Sequence, residues 1–208
     1  MRSSSVRGPR IRRGSPQRQA ASAAVTSAAL LLLARRVLDR DPGALDRAVR
    51  RLARSPRARR ARPLLALLFP IGLPGGYIPI AYATAFWVQS RRRHGAPSIL
   101  ASAWLGWLVH RATKVVFVRA RPGANADRTD SFPSGHTTGI TALALTIAHV
   151  LAREGLVSRE ACRTLGLSAP ALMGANRVAT DEHWATDVFG GWLLGAAIAS
   201  VVCAISDY

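Results

Sequence analysis

Three short clusters hold the side chains that could do chemistry. The first is KVVFVRARP, residues 114–122. Lys114 and Arg121 stand seven residues apart, two helical turns, which puts both cations on one helix face, and Pro122 marks where that helix stops. Lys114 is the single lysine among 29 Lys and Arg residues, kept where the rest of the chain writes arginine. The second is FPSGHTTG, residues 132–139. Pro133 and Gly135 shape a turn and Ser134 suits a helix N-cap. His136 then falls in the first helical turn, among backbone N–H groups that can bind an anion. The third is NRVATDEHWATD, residues 176–187. His183 and Asp187 are at i, i+4 on one face of a starting helix, so Asp187 can accept from one imidazole nitrogen and leave the other unprotonated and nucleophilic. Arg177 lies six residues before His183, in the loop between helices.

Each cluster alone has an ordinary reading. Cations near a membrane helix end snorkel toward lipid phosphates. A Ser-Gly-His at a helix start is a cap with an incidental histidine. A His-x-x-x-Asp pair is often a surface hydrogen bond or part of a metal site. Together they differ. Each lies at a helix end beside a short loop, and alternating helix directions bring all three to one side of a membrane. Three cations, two histidines and one carboxylate suit a dianionic phosphate, a nucleophile and an acid.

The arrangement resembles the type 2 phosphatidic acid phosphatase (PAP2) superfamily, in its membrane lipid phosphatase branch. That family's motifs are Lys-x6-Arg-Pro, Pro-Ser-Gly-His and Ser-Arg-x5-His-x3-Asp, and residues 114–122, 133–136 and 176–187 match them in order and spacing. One departure is Asn176, where the family has serine. The resemblance covers about residues 97–205, and nothing in 1–63 contributes to it. It implies a lipid phosphate or pyrophosphate as substrate and no metal or other cofactor. By it, Lys114, Arg121 and Arg177 hold the phosphate oxygens, helped by the backbone of Ser134, Gly135 and His136. His183, oriented by Asp187, attacks phosphorus, and His136 serves as acid and then base. Asn176 and Pro122 stand behind the phosphate-binding groups. Lys114 has its place because the motif asks for a compact ammonium where a guanidinium fork does not fit.

The elements that must position these groups are apolar. The chain is 49% hydrophobic and 19% charged, with mean hydropathy +0.13, net charge +18 and pI about 11.8. We expect an all-α, polytopic membrane helical bundle with five or six hydrophobic segments and a PAP2-like core. Residues 1–19 read as a disordered basic tail, 20–63 as a short apolar or amphipathic helix followed by an Arg-rich loop, and 64–205 as the core. Within the core, helices are expected near 97–118, 136–152, 161–176 and 184–205. Residues 39–63 and 91–93 are both strongly basic, and basic segments favour the cytoplasmic side. Six simple spans would put these two on opposite sides. Laying 20–38 on the membrane surface and folding 64–88 into a re-entrant hairpin at PIGLPGG puts them on one side, and that is the expected topology. The site then faces the extracytoplasmic side of a multi-pass cell-membrane protein.

Rival readings are a metal-dependent phosphoesterase with His136, His183, Asp181 and Asp187 as ligands, a vanadium-dependent haloperoxidase, and a non-catalytic Arg-rich protein binding membrane or nucleic acid. The apolar segments argue against the second. Basic segments without interleaved aromatic residues argue against nucleic acid as a partner. Cys162 and Cys203 form no CxxC or zinc spacing and read as lone thiols.

Overall fold

Proline and serine decide where several helices begin. In the computed structural model, which describes residues 16–38 and 42–207, prolines occupy the first turns of α3 (Pro56–Ala66), α4 (Phe69–Gly72), α5 (Pro74–Ser90) and α6 (Ala96–Val116). There a missing N–H leaves no bond unmade. Ser55 caps α3 by accepting from the Ala58 N–H, and Ser158 caps α8 (Arg159–Ala179) by accepting from Ala161. The remaining helices are α1 (Pro16–Leu38), α2 (Ala44–Ala53), α7 (Gly135–Arg153) and α9 (Ala185–Ser206). Among the described residues there is no β-strand, only an isolated bridge between Arg119 and Asp130.

Six helices run alternately up and down. The α1 helix lies along α9 and is tied near its start to the far end of the bundle, where Gln19 meets His149 and Ser22 meets Ser200. At its other end Ala34 and Val37 cluster with Phe132, beside the second motif. The α5 helix begins at the motif end, where Pro74 and Tyr77 line a cavity, and reaches the far end, where Val88 joins Val150 in the core. The α6, α7, α8 and α9 helices follow in alternation. By length and composition alone, α1, α7 and α9 are apolar enough to cross a membrane.

Several expectations are corrected. Residues 1–15 of the expected disordered tail lie outside the described residues, and residues 16–19 form the first turn of α1. The Arg-rich stretch expected as a loop is two helices, α2 and α3. The 64–88 segment does break at PIGLPGG, but it is not a hairpin. Pro74 starts a new helix there that continues away from the site. The α1 helix packs on α9 and does not lie apart from the bundle. Residues 42–63 and 91–93 therefore sit at opposite ends, as in the six-span arrangement.

The α7 helix is the central column. Ser134, Thr138, Ala142 and Thr146, spaced by four, are all fully buried. Gly191 and Gly195 of α9 press on this stripe. A Cβ at Gly191 would come within 2.7 Å of the Ser134 carbonyl oxygen, and one at Gly195 within 2.7 Å of the Thr138 carbonyl oxygen. Backbone cannot swing aside as a flexible side chain can, so the added carbon must part the two helices that carry the second and third motifs. We expect Gly195→Ala to lower stability by about 1–3 kcal/mol, the usual cost of overpacking a tight interface. Thermal unfolding in detergent reads this directly. Gly75→Ala, where nothing lies within 4 Å, is the matched substitution expected to cost nothing.

Candidate active site

The α6 helix ends at Val116, and Phe117 is already extended, with φ −105° and ψ 116°. The run Val115-Val116-Phe117-Val118 is β-branched and aromatic, which weakens a helix, and Pro122 favours extended backbone at Arg121. Residues 119–121 pair with 128–131 instead. Arg119 N–H donates to the Thr129 carbonyl at 2.7 Å, Arg121 N–H to Arg128 at 3.0 Å and Ser131 N–H to Arg119 at 3.0 Å. Lys114 and Arg121 therefore do not share a helix face. They nevertheless line one cavity of about 400 Å³, together with Gly135, His136, Arg177 and His183.

Lys114 Nζ donates to the carbonyl oxygens of Asp130 (2.5 Å) and Pro133 (2.7 Å), which uses two of the three ammonium protons. Arg121 is held from behind by Asp130, through Nε to Oδ1 at 2.8 Å and Nη2 to Oδ2 at 3.2 Å. Burial alone would raise the Asp130 pKa. The hydrogen bond from Arg121 and the charges of Arg121, Arg128 and Lys114 outweigh it, so the carboxylate titrates well below its usual range. Arg121 Nη1 also reaches Glu182 Oε2 at 3.1 Å and stands 3.5 Å from His183 Nε2.

Arg177 lies in the last turn of α8, not in the loop, because the helix continues to Ala179. Its Nε donates to Asn176 Oδ1 at 2.7 Å, its Nη2 to Thr180 Oγ1 at 3.2 Å, and its guanidinium carbon sits 4.9 Å from the centre of the Phe69 ring. Asn176 Nδ2 in turn donates to the Leu65 carbonyl at 2.5 Å. The amide at the family's serine position thus orients Arg177 and ties α8 to α3 at once.

The α9 helix starts at Ala185 with Trp184 as N-cap, so His183 precedes it. His183 Nδ1 is 3.6 Å from Asp187 Oδ2, an ion-pair distance longer than a hydrogen bond, and Nδ1 is buried with no hydrogen-bond partner. Asp187 is committed elsewhere. Its Oδ2 accepts from the Trp184 N–H (2.8 Å) and Ser131 Oγ (2.5 Å), and its Oδ1 from Arg119 Nη1 (2.5 Å). Burial pushes the His183 pKa down and Asp187 pulls it up. Burial wins, which favours the neutral ring over the imidazolium. Ser134 is the N-cap residue of α7, but its side chain does not cap. It accepts from Thr137 Oγ1 at 3.0 Å, and its N–H donates to the Asp187 carbonyl at 2.9 Å. Gly135 and His136 are left as the backbone groups of that turn on the cavity. The His136 ring packs on Phe69 at 5.1 Å, and its Nε2 is buried without a partner.

Sequence reasoning missed Arg119, Asp46, Asp130, Ser131, Glu182 and His110. Arg119, 3% exposed, bridges Asp187 and Asp46, donating to Asp46 Oδ2 at 2.6 Å. Its signal lay in the VVFV run, since an extended reading would have set Arg119 apart from Lys114. His110, one turn before Lys114 on α6, lines the cavity and abuts Gly135. The four residues of the metal alternative are not gathered. Asp181 sits at φ 60° and its carboxylate accepts from Arg50 (2.8 and 3.0 Å) and Arg54 (2.6 Å), away from the cavity. Cys162 and Cys203 are free and buried.

The PAP2 superfamily model matches residues 97–208. "Lipid phosphate phosphatase 2" of Arabidopsis thaliana is 32% identical over 102 residues, 45% of this chain. The matched region spans only 34% of that relative's length. The crystal structure of a transmembrane PAP2 type phosphatidylglycerolphosphate phosphatase from Bacillus subtilis superposes with TM-score 0.68 at 23% identity, covering 87% of this chain and 94% of that one. That of Aquifex aeolicus LpxE gives 0.56 at 21%, covering 78% and 92%. The fold is that of the membrane phosphatases.

Proposed function

Because the chain belongs to the PAP2 superfamily, we propose that it is an integral-membrane phosphatase acting on a lipid phosphate or pyrophosphate through a phosphohistidine, without a metal. The observation that carries this reading is one cavity on which Lys114, Arg121, Arg177, His136 and His183 converge. The three cations take the phosphoryl oxygens, with Lys114 contributing its remaining proton and Arg121 exchanging Glu182 for substrate. The His183 Nε2 lone pair attacks phosphorus and the bond to the lipid oxygen breaks. That oxygen takes a proton from His136, which enters the step as imidazolium beside the bound phosphate and leaves it as neutral imidazole. Water, losing a proton to His136, then attacks phosphorus, and the P–N bond breaks to release phosphate. Asp187 stabilises the positive charge His183 acquires. Leu73, Tyr77 and Trp107 give the same cavity an apolar wall for the lipid end of the substrate.

For the side of the membrane, Arg91–Arg93, Arg153, Arg159 and Arg163 at the end away from the cavity support a cytoplasmic placement of that end and an extracytoplasmic site, against the pull of the arginines of α2 and α3 at the cavity end.

Phosphate release by the purified protein in detergent, from phosphatidic acid, phosphatidylglycerol phosphate and a polyprenyl pyrophosphate in excess EDTA, tests the reading. EDTA-resistant release from at least one is expected. Release that EDTA stops would hand the site to a metal, and no release from any would leave an anion-binding scaffold. Lys114→Arg is expected to lose most of the release while expressing normally, since two carbonyls and a phosphate oxygen must share one compact ammonium. Full turnover by that variant would refute the role.

A further inference from the structure

The arginines of α2 and α3 sit at the cavity end, the side least expected to be basic. Three are tied down. Arg50 and Arg54 hold Asp181, and Arg62 donates to the Thr180 carbonyl at 3.3 Å. Arg47, Arg51, Arg57, Arg59 and Arg60 remain exposed, Arg47 with its Nη1 donating to the Pro42 carbonyl and its other guanidinium nitrogens open to a headgroup. On α2 the distribution is two-sided. Leu45 and Leu52, seven residues and two turns apart, are 54% and 70% exposed on one face. Arg47 and Arg51 project from the opposite face. On its buried edge Asp46, 1% exposed, accepts from Arg119 and from the Thr186 N–H at 2.9 Å. Leu64, in the last turn of α3, and Leu67, its C-cap, are each 71% exposed as well.

A helix bathed in water gains nothing from keeping two leucines aligned and uncovered. A helix in the boundary of a bilayer does: the apolar face enters the acyl region and the guanidinium groups meet phosphate headgroups. We propose that α2 is such an interfacial helix, seated in the leaflet nearest the cavity, with Leu45 and Leu52 toward the acyl chains and Arg47 and Arg51 on anionic headgroups. The occupant is the membrane itself, chosen by charge complementarity and by the neighbouring spans. Because Asp46 ties α2 to Arg119 and Asp187, the same seat braces the carboxylate behind His183. The docking does not depend on the chemistry proposed for the cavity.

A fluorescence measurement on the full chain in nanodiscs tests this. An environment-sensitive thiol dye is placed at Leu52→Cys or, separately, at Arg47→Cys. Cys162 and Cys203 are both buried, so the new thiol is the reactive one. The Leu52→Cys label is expected to emit blue-shifted and to be quenched by lipid spin-labelled just below the headgroup, several-fold more than the Arg47→Cys label. Adding phosphatidylglycerol to phosphatidylcholine should deepen that quenching, and Arg47→Gln with Arg51→Gln should remove the increment. Water-like emission at Leu52→Cys, equal quenching at the two sites, or no response to phosphatidylglycerol would overturn the proposal. None of these outcomes depends on phosphate release, so failure here is distinguishable from failure of the phosphatase reading.

Discussion

His183→Ala is expected to abolish phosphate release, by at least about 10⁴-fold, while leaving the anion site in place. The reasoning is local. His183 Nε2 stands 3.5 Å from the Arg121 guanidinium, and the ring has the Asp187 carboxylate behind its other nitrogen. A neutral, buried ring is a nucleophile ready without prior deprotonation. Removing it leaves Lys114, Arg121 and Arg177 with their own partners, Asp130, Pro133 and Asn176, so none of them needs His183 to stay in position. Stabilisation of the variant by inorganic phosphate in thermal unfolding should therefore match the parent's while turnover vanishes. Turnover within tenfold of the parent would remove the nucleophile assignment and favour a route through activated water.

Arg119→Leu should produce the largest loss of stability in the site. This guanidinium is shared between two carboxylates that are each almost wholly buried, Asp46 and Asp187. Deleting the partner of a buried charge costs about 3–5 kcal/mol, because the stranded charge has no water to return to. Here one deletion strands two. Arg119→Lys keeps the charge but cannot reach both carboxylates with a planar fork, so it should fall between leucine and the parent. Adding Asp46→Asn to Arg119→Leu removes one stranded charge and should restore part of the loss. The order parent, lysine, double variant, leucine in thermal unfolding would support the bridge. An Arg119→Leu protein as stable as the parent would dismiss it.

Which residues meet in the site was easier to read in the sequence than the architecture that brings them there. Lys114, Arg121, Gly135, His136, Arg177 and His183 are gathered into one cavity as their spacing suggested, because each stands at a chain reversal where helices of alternating direction meet. The local geometry differed where intrinsic propensity beat periodicity. Four β-branched or aromatic residues in a row ended α6 early, so the seven-residue spacing of Lys114 and Arg121 crosses from helix to extended chain. The groups behind the site were hidden for a different reason. Asp46 and Leu65 lie more than a hundred residues from Thr186 and Asn176, their partners, and no local pattern announces such pairs. The helix α2 did leave a signal, Leu45, Val49 and Leu52 at three- and four-residue steps, but the density of arginine around it read as loop.

The amide of Asn176 reaches back to Leu65, and Arg119 reaches back to Asp46; Phe69, Gly72 and Tyr77 complete the cavity wall. All of these partners precede residue 97, where the recognisable family region begins. The portable unit of this phosphatase fold is therefore larger than its signature. A minimal enzyme cut to the segment bearing all three motifs would keep those motifs yet lack one side of its own vessel. In an engineered chimera, the crossover point belongs ahead of α2, so that the helices at the rim travel with the histidines they enclose.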